Sequence, residues 1–220
     1  MNTEQARFNM IEQQIRPWDV LDQGVLSLLG VVKREDFVPP AYKALAFVDT
    51  EVPLGDANSG RCMLAPKVEA RLLQELKVHK HERALEIGTG TGYMAALLGH
   101  KAQTVVTLEE DPRLAETAQA NLRRAGVMNV TVRRADGSRG LPEEAPFDVI
   151  LLSGSVPEVP PSLLAQLKVG GRLAAIVGQQ PVMRATLFTR TSEHDFASVE
   201  LFDTVAPRLS GFAEPTRFKF

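Results

Sequence analysis

Three glycines at alternate positions, in Ala84-Leu85-Glu86-Ile87-Gly88-Thr89-Gly90-Thr91-Gly92-Tyr93, constrain this chain more than any other stretch. A short apolar run leads into them, and the small-residue run Met94-Ala95-Ala96-Leu97-Leu98 leads out. That order predicts a strand, a tight turn and the opening of a helix. Glycine suits such a turn because it tolerates positive φ and lets a ligand reach bare backbone. The helix that opens there offers unpaired N–H groups and a positive dipole end to an anionic or polar ligand group. Packing alone does not account for three alternating glycines, so a ligand-binding turn is expected.

The glycines do not by themselves choose the ligand. The dinucleotide fingerprint G-x-G-x-x-G, counted from Gly88, needs glycine at position 93, where this chain has Tyr93. Thr104-Val105-Val106-Thr107-Leu108 reads as a second strand ending on Glu109. An acid about 20 residues beyond the glycines can accept hydrogen bonds from ribose hydroxyls. Val130-Thr131-Val132-Arg133 reads as a third strand, followed by Asp136 and Gly137 in a loop. A glycine turn with acids after strands two and three resembles the nucleoside-methionine pocket of class I S-adenosylmethionine-dependent methyltransferases. That resemblance implies S-adenosyl-L-methionine as cofactor, with Glu86, Gly88, Thr89, Gly90, Gly92, Glu109, Asp136, Gly137 and Ser153 as its binding residues.

The bulk of the chain narrows the remaining classes. Its 220 residues suit one domain, with residues 1–82 supplying N-terminal helices and an acceptor loop and residues 83–220 a cofactor-binding sheet. A net charge of −2 gives no electrostatic case for nucleic acid or a membrane surface. The start lacks a basic and apolar leader, no apolar stretch reaches spanning length, and Cys62 is the single cysteine, so a cytoplasmic protein is expected. His79 and His81 stand two apart without a third ligand at suitable spacing, and no metal site is expected.

Read in order, residues 3–15 predict a helix with Phe8, Ile11 and Ile15 at helical spacing, and residues 18–29 predict a second. Residues 49–66 read as a long loop with Pro53, Gly55, Gly60 and Pro66, and loops of that length tend to be functional. Pro66 then opens a helix carrying Val68, Leu72 and Leu76. Residues 112–125 predict a helix stopped by Gly126. Asp148-Val149-Ile150-Leu151-Leu152 has the composition of a central parallel strand, running into a loop over residues 153–157 at its carboxyl end. A short helix over 162–167, a strand over 172–177 and two runs, 184–190 and 197–202, around a polar turn complete the chain. The expected fold is α/β: a doubly wound, Rossmann-like, mostly parallel sheet with antiparallel C-terminal pairing and an N-terminal helical extension.

Several further segments together resemble the protein-L-isoaspartate O-methyltransferase family over nearly the whole length. They are Glu12-Gln13-Gln14-Ile15-Arg16, Arg34-Glu35-Asp36-Phe37-Val38-Pro39, Val52-Pro53-Leu54-Gly55, the glycine turn, Ala135-Asp136-Gly137, Ala145-Pro146-Phe147-Asp148, Pro157-Glu158-Val159-Pro160-Pro161 and Leu167-Lys168-Val169-Gly170-Gly171-Arg172. The resemblance implies methyl transfer to a carboxylate of isoaspartyl residues in damaged proteins or peptides. The departures fall where the acceptor should bind. Aligned on Pro66, the family's Gln-Thr-Ile-Ser-Gln-Pro-like run is Arg61-Cys62-Met63-Leu64-Ala65-Pro66, which puts Leu64 at the serine position. The Thr-Ala-Ala-Ala-Pro-like run after the fourth strand is Ser153-Gly154-Ser155-Val156-Pro157. Ser59, Arg61 and Leu64 are therefore the acceptor-side candidates, with Arg208 a further cation. Leucine neither donates nor accepts a hydrogen bond, so slow transfer to isoaspartyl peptides is expected. Another acceptor on the same fold, or cofactor binding without transfer, remains open. The oligomeric state is not legible.

Overall fold

The computed structural model describes residues 2–55 and 59–214. Asp56, Ala57 and Asn58, the most polar part of the expected acceptor loop, lie outside the described residues. A seven-stranded sheet with order β5-β4-β3-β6-β7-β8-β9 forms the centre. Its strands are β3 (Arg83–Ile87), β4 (Thr104–Glu109), β5 (Val130–Arg134), β6 (Phe147–Val156), β7 (Leu167–Gln179), β8 (Val182–Arg190) and β9 (Phe196–Thr204). The strands from β5 through β7 run parallel, and β8 and β9 pair antiparallel at the edge, as the polar turn over 191–195 predicts.

Period-two alternation along the central strands divides the core into two layers. Ala84, Val149 and Leu151 face one apolar cluster, whereas Leu85, Ile87, Ile150 and Leu152 face the other. The first layer is covered by the helices α2 (Gln23–Val31), α3 (Pro66–Leu76), α4 (Tyr93–Lys101) and α5 (Pro112–Arg124). Local signals set their ends. Pro66 and Pro112 occupy first-turn positions, where a missing N–H costs no helical bond. Asp111 caps α5 by accepting from the N–H groups of Arg113 and Leu114.

The structure corrects four boundaries. The first helix, α1, covers only Thr3–Met10 and then widens into a π-type turn over Ile11–Ile15 and a 3₁₀ turn over Arg16–Trp18. Pro17 lacks the N–H that a continuing α-helix needs. The second helix begins at Gln23, not Trp18, because the Asp22 carboxylate caps it through the Val25 N–H. The loop over 49–66 holds a short antiparallel pair, β1 (Val52–Pro53) with β2 (Cys62–Met63). The short helix α6 is Pro161–Leu164, and Leu167 already belongs to β7.

The expected loop after the fourth strand is strand as far as Val156. Leu151 pairs with Ala174 but Ser155 pairs with Ile176, so β6 carries two extra residues between these pairs. A bulge of this kind re-aims side chains at a sheet end. Here the strand beyond the bulge is held by the chain after β9: Ser155 N–H donates to Pro207 O (2.7 Å) and Leu209 N–H donates to Ser155 O (2.9 Å).

Candidate active site

Parallel sheets gather polar groups at the carboxyl ends of their strands, and a cleft of about 630 Å³, counted with its open mouth, lies there. One wall is the glycine turn. Gly88 (φ +92°) and Gly90 (φ +54°) both adopt the positive φ that favours glycine, and both line the cleft. The Gly90 N–H donates to Glu109 Oε2 (2.9 Å), and the Asp111 N–H donates to Glu109 Oε1 (3.0 Å). Burial raises the Glu109 pKa, opposed by those two backbone hydrogen bonds. Each carboxylate oxygen keeps a free lone pair for a ligand hydroxyl.

Behind the turn runs a buried chain of hydroxyls and a carboxylate. Glu86, 0% exposed, accepts from Thr107 Oγ1 (2.7 Å) and Ser153 Oγ (2.7 Å), and Thr107 Oγ1 lies 2.6 Å from Thr89 Oγ1. Burial pushes the Glu86 pKa up to about 7, against the pull of the two hydroxyls. The β6 bulge is what brings Ser153 within reach. Thr107 carries no distinguishing signal in the sequence, since threonine is an ordinary strand residue.

Gly92 is not among the residues that line the cleft or the adjoining cavity. It caps α4 in the left-handed region, and a Cβ there would lie 3.3 Å from Ala118 Cβ, so it serves helix packing. Asp136 is exposed, and its carboxylate is turned to the Ser138 N–H (2.8 Å). Its neighbours Ala135 and Gly137 line the cleft instead. A Cβ on Gly137 would come within 2.4 Å of Ile87, so this glycine lets its loop close onto β3.

The opposite wall belongs to the 49–66 segment. Arg61 lines the cleft but is already engaged, pairing with Asp111 and with Glu110 Oε1 (3.0 Å). Ser59 is exposed and is not among the residues lining the cleft or the adjoining cavity; its hydroxyl accepts from the Arg61 N–H (3.3 Å). Leu64 is 4% exposed and lines an adjoining cavity of about 290 Å³. Arg208 borders the cleft, donating to Gly178 O (3.0 Å) and pairing with Glu214 Oε1 (3.1 Å). His79 and His81 stack on each other (5.9 Å between centroids), and among the described residues no three His, Cys, Asp or Glu converge as a metal cluster.

Comparison with known proteins decides the family. The model for protein-L-isoaspartate(D-aspartate) O-methyltransferase matches residues 5–204. The chain belongs to this family. The protein-L-isoaspartate O-methyltransferase of Methanoculleus marisnigri is 41% identical over 172 residues, covering 78% of this chain and 77% of that protein. Protein-L-isoaspartate O-methyltransferase 1 of Syntrophobacter fumaroxidans is 41% identical over 180 residues, covering 82% and 83%. A solved protein-L-isoaspartate O-methyltransferase superposes with a TM-score of 0.79 at 27% identity, over 93% of this chain and 66% of that one. A Plasmodium falciparum protein solved with S-adenosyl-L-homocysteine shares the fold, with a TM-score of 0.77 at 20% identity, over 93% of this chain and 98% of that one. Gly88, Gly90, Glu109, Gly137 and Ser153 line the cleft together with Leu54, Arg61 and Cys62 of the 49–66 segment.

Proposed function

We propose that the protein transfers the methyl group of S-adenosylmethionine to the free carboxylate of isoaspartyl residues in proteins or peptides. The observation that carries this reading is the cleft itself. Bare glycine backbone and Glu109 stand on one wall, and Leu54, Arg61 and Cys62 of the 49–66 segment stand on the other. The residues fit such a cofactor: Gly88 and Gly90 leave room at the turn for the methionine part, and Glu109 has lone pairs for ribose hydroxyls. Bound S-adenosylmethionine supplies an electrophilic methyl group. A carboxylate acceptor, with an ordinary pKa near about 4, arrives ionised and needs no general base. What remains for the chain is to orient the acceptor in line and keep water out. Among the described residues no histidine lines the cleft, which agrees with an acceptor that needs no deprotonation.

Among the described residues no helix is long and apolar enough to cross a membrane, and a cytoplasmic setting belongs to the same reading. Transfer of labelled methyl to an isoaspartyl peptide, beside its aspartyl twin, tests it. Label is expected on the isoaspartyl peptide alone. S-adenosylhomocysteine binding with no transfer to either peptide would overturn it and favour the second reading, another acceptor on the same fold, which the engagement of Arg61 by two carboxylates supports.

Calorimetry tests the cofactor side separately. Glu109→Ala is expected to weaken S-adenosylhomocysteine binding by about 1.5–3 kcal/mol, the range for hydrogen bonds to a charged group. An unchanged affinity removes Glu109 from the site.

A further inference from the structure

The smaller cavity beside the cleft contains three polar groups with no hydrogen-bond partner: Glu69 Oε2, Thr91 Oγ1 and Tyr93 Oη. Their residues are 4%, 3% and 2% exposed. Native interiors leave so few polar atoms unpaired that three around one small space point to something that enters it. They come from two separate elements. Glu69 sits on the buried face of α3, with Leu72, Leu73 and Leu76 following at helical spacing, and Thr91 and Tyr93 flank the start of α4. Arg34 pairs with Glu69 only loosely: its Nε, also without a hydrogen-bond partner, lies 3.8 Å from Glu69 Oε2, and its Nη atoms donate to Ala46 O and Leu64 O at 3.2 Å each.

This cavity opens onto the cleft, since Leu54, Cys62, Gly88, Gly90 and Ser153 line both. Leu64, at the family's serine position, lines it too and offers no hydrogen bond. A carboxylate acceptor has two oxygens: one attacks the methyl carbon, and the other has to be held for the attack to be in line.

Building on the isoaspartyl reading above, we propose that this cavity receives the non-attacking oxygen of the acceptor carboxylate. The Glu69 carboxyl and the Tyr93 hydroxyl are its hydrogen-bond donors, in place of the hydroxyl that Leu64 lacks. Donation requires protons on both. Burial pushes the Glu69 pKa up to about 8, with Glu86 adding to the rise and Arg34 opposing it. Burial likewise raises the Tyr93 pKa, with Glu69 and Glu35 adding and Arg34 and Arg7 opposing. The groups that face Glu69 are Arg34 from the turn Arg34–Asp36, Cys62 from β2, Glu86 from β3 and Tyr93 from α4. Glu51 acts on Cys62 and Glu109 on Glu86, one step further out. As pH rises through the Glu69 titration, the donor is lost and an anion faces the acceptor carboxylate. Transfer therefore falls on the alkaline side.

The test uses the full chain, an isoaspartyl peptide and labelled S-adenosylmethionine from pH 6 to about pH 9.5, a window that brackets the titration. Peptide affinity is measured in parallel in the presence of S-adenosylhomocysteine. Glu69→Leu and Tyr93→Phe are each expected to lower kcat/KM and peptide affinity about ten- to a hundredfold, with S-adenosylhomocysteine affinity unchanged. Glu69→Gln keeps a donor that does not titrate, so it is expected to retain activity within a few-fold and to lose the alkaline fall. A folded Glu69→Leu chain as active as the wild type, or a Glu69→Gln chain with the same alkaline fall, overturns the proposal while the isoaspartyl reading stands. A wild-type chain that neither binds nor methylates the peptide at any pH removes that reading, and the proposal with it.

Discussion

Gly90→Val is expected to abolish S-adenosylhomocysteine binding while the chain stays folded. Gly90 holds φ at +54° on the cleft wall, a region that L-residues enter at a cost of about 1–2 kcal/mol. Valine, branched at Cβ, is among the residues least suited to it. Its Cβ would already crowd Leu54 Cδ1 at 3.1 Å, and its γ-carbons would reach into the cleft and the smaller cavity, which Gly90 and Leu54 both line. The side chain would thus occupy the place that bare backbone keeps open for a ligand. It would also turn the peptide whose N–H donates to Glu109, so one substitution disturbs two contacts. Because the contact is with the end of one leucine side chain and not with a packed helix, folding should survive. Calorimetry beside a thermal melt separates the effects: a loss in affinity beyond about a hundredfold with a cooperative melt is expected. Wild-type affinity in a folded Gly90→Val chain would show that the turn serves another purpose.

The parts of the molecule that were legible in the sequence are those fixed by local chemistry or strict periodicity. The glycine turn, the apolar runs of β3 and β6, and the first-turn prolines Pro66 and Pro112 each carry their own signal. The rest depended on contacts between distant segments. Nothing near Ser153 announces that β6 continues to Val156; that follows from resumed pairing with β7 at Ile176 and Val177 and from the chain at Pro207 and Leu209, some fifty residues later, which holds Ser155. The strand pair inside the 49–66 segment is two residues long on each side, too short to show alternation. Gly92 reads like its neighbours because the sequence shows spacing and not direction. In three dimensions Gly88 and Gly90 face the cleft, while Gly92 faces Ala118. Glu69 had a faint signal: an acid three and four places before Leu72 and Leu73 lies on the face that α3 buries. Its unpaired oxygen depends on where α4 and Arg34 come to rest, and no local pattern encodes that.

The same buried centre sets the largest expected change in stability. Arg34 is 0% exposed and donates to the carbonyls of Ala46 and Leu64, so its guanidinium ties the segment before β1 to the segment after β2. Arg34→Leu removes both donors and leaves two interior carbonyls short of a partner. Leaving a buried carbonyl unsatisfied costs about 1–3 kcal/mol each. The pH dependence identifies the cause. Burial pushes the Glu69 pKa up to about 8, so at pH 6.5 the Arg34–Glu69 pair, 3.8 Å apart, is weak and Arg34 acts chiefly through the carbonyls. A raised folded-state pKa means that the stability tied to neutral Glu69 is complete below about 4.5 and is lost as pH climbs through 8. Arg34 is the cation that moderates that loss, because its charge lowers the Glu69 pKa. Urea unfolding at pH 6.5 is therefore expected to show chiefly the carbonyl cost. At pH 9 the variant should fall further below the wild type, since an ionised Glu69 would then be buried without its cation. An equal deficit at both pH values would mean that Glu69 does not titrate between them, whereas a deficit below about 1 kcal/mol would mean that water replaces the guanidinium at both carbonyls. Because Leu64 borders the acceptor cavity, the tether also positions that wall. In the folded variant the KM for an isoaspartyl peptide should rise while S-adenosylhomocysteine affinity holds, separating loss of the acceptor wall from loss of the cleft.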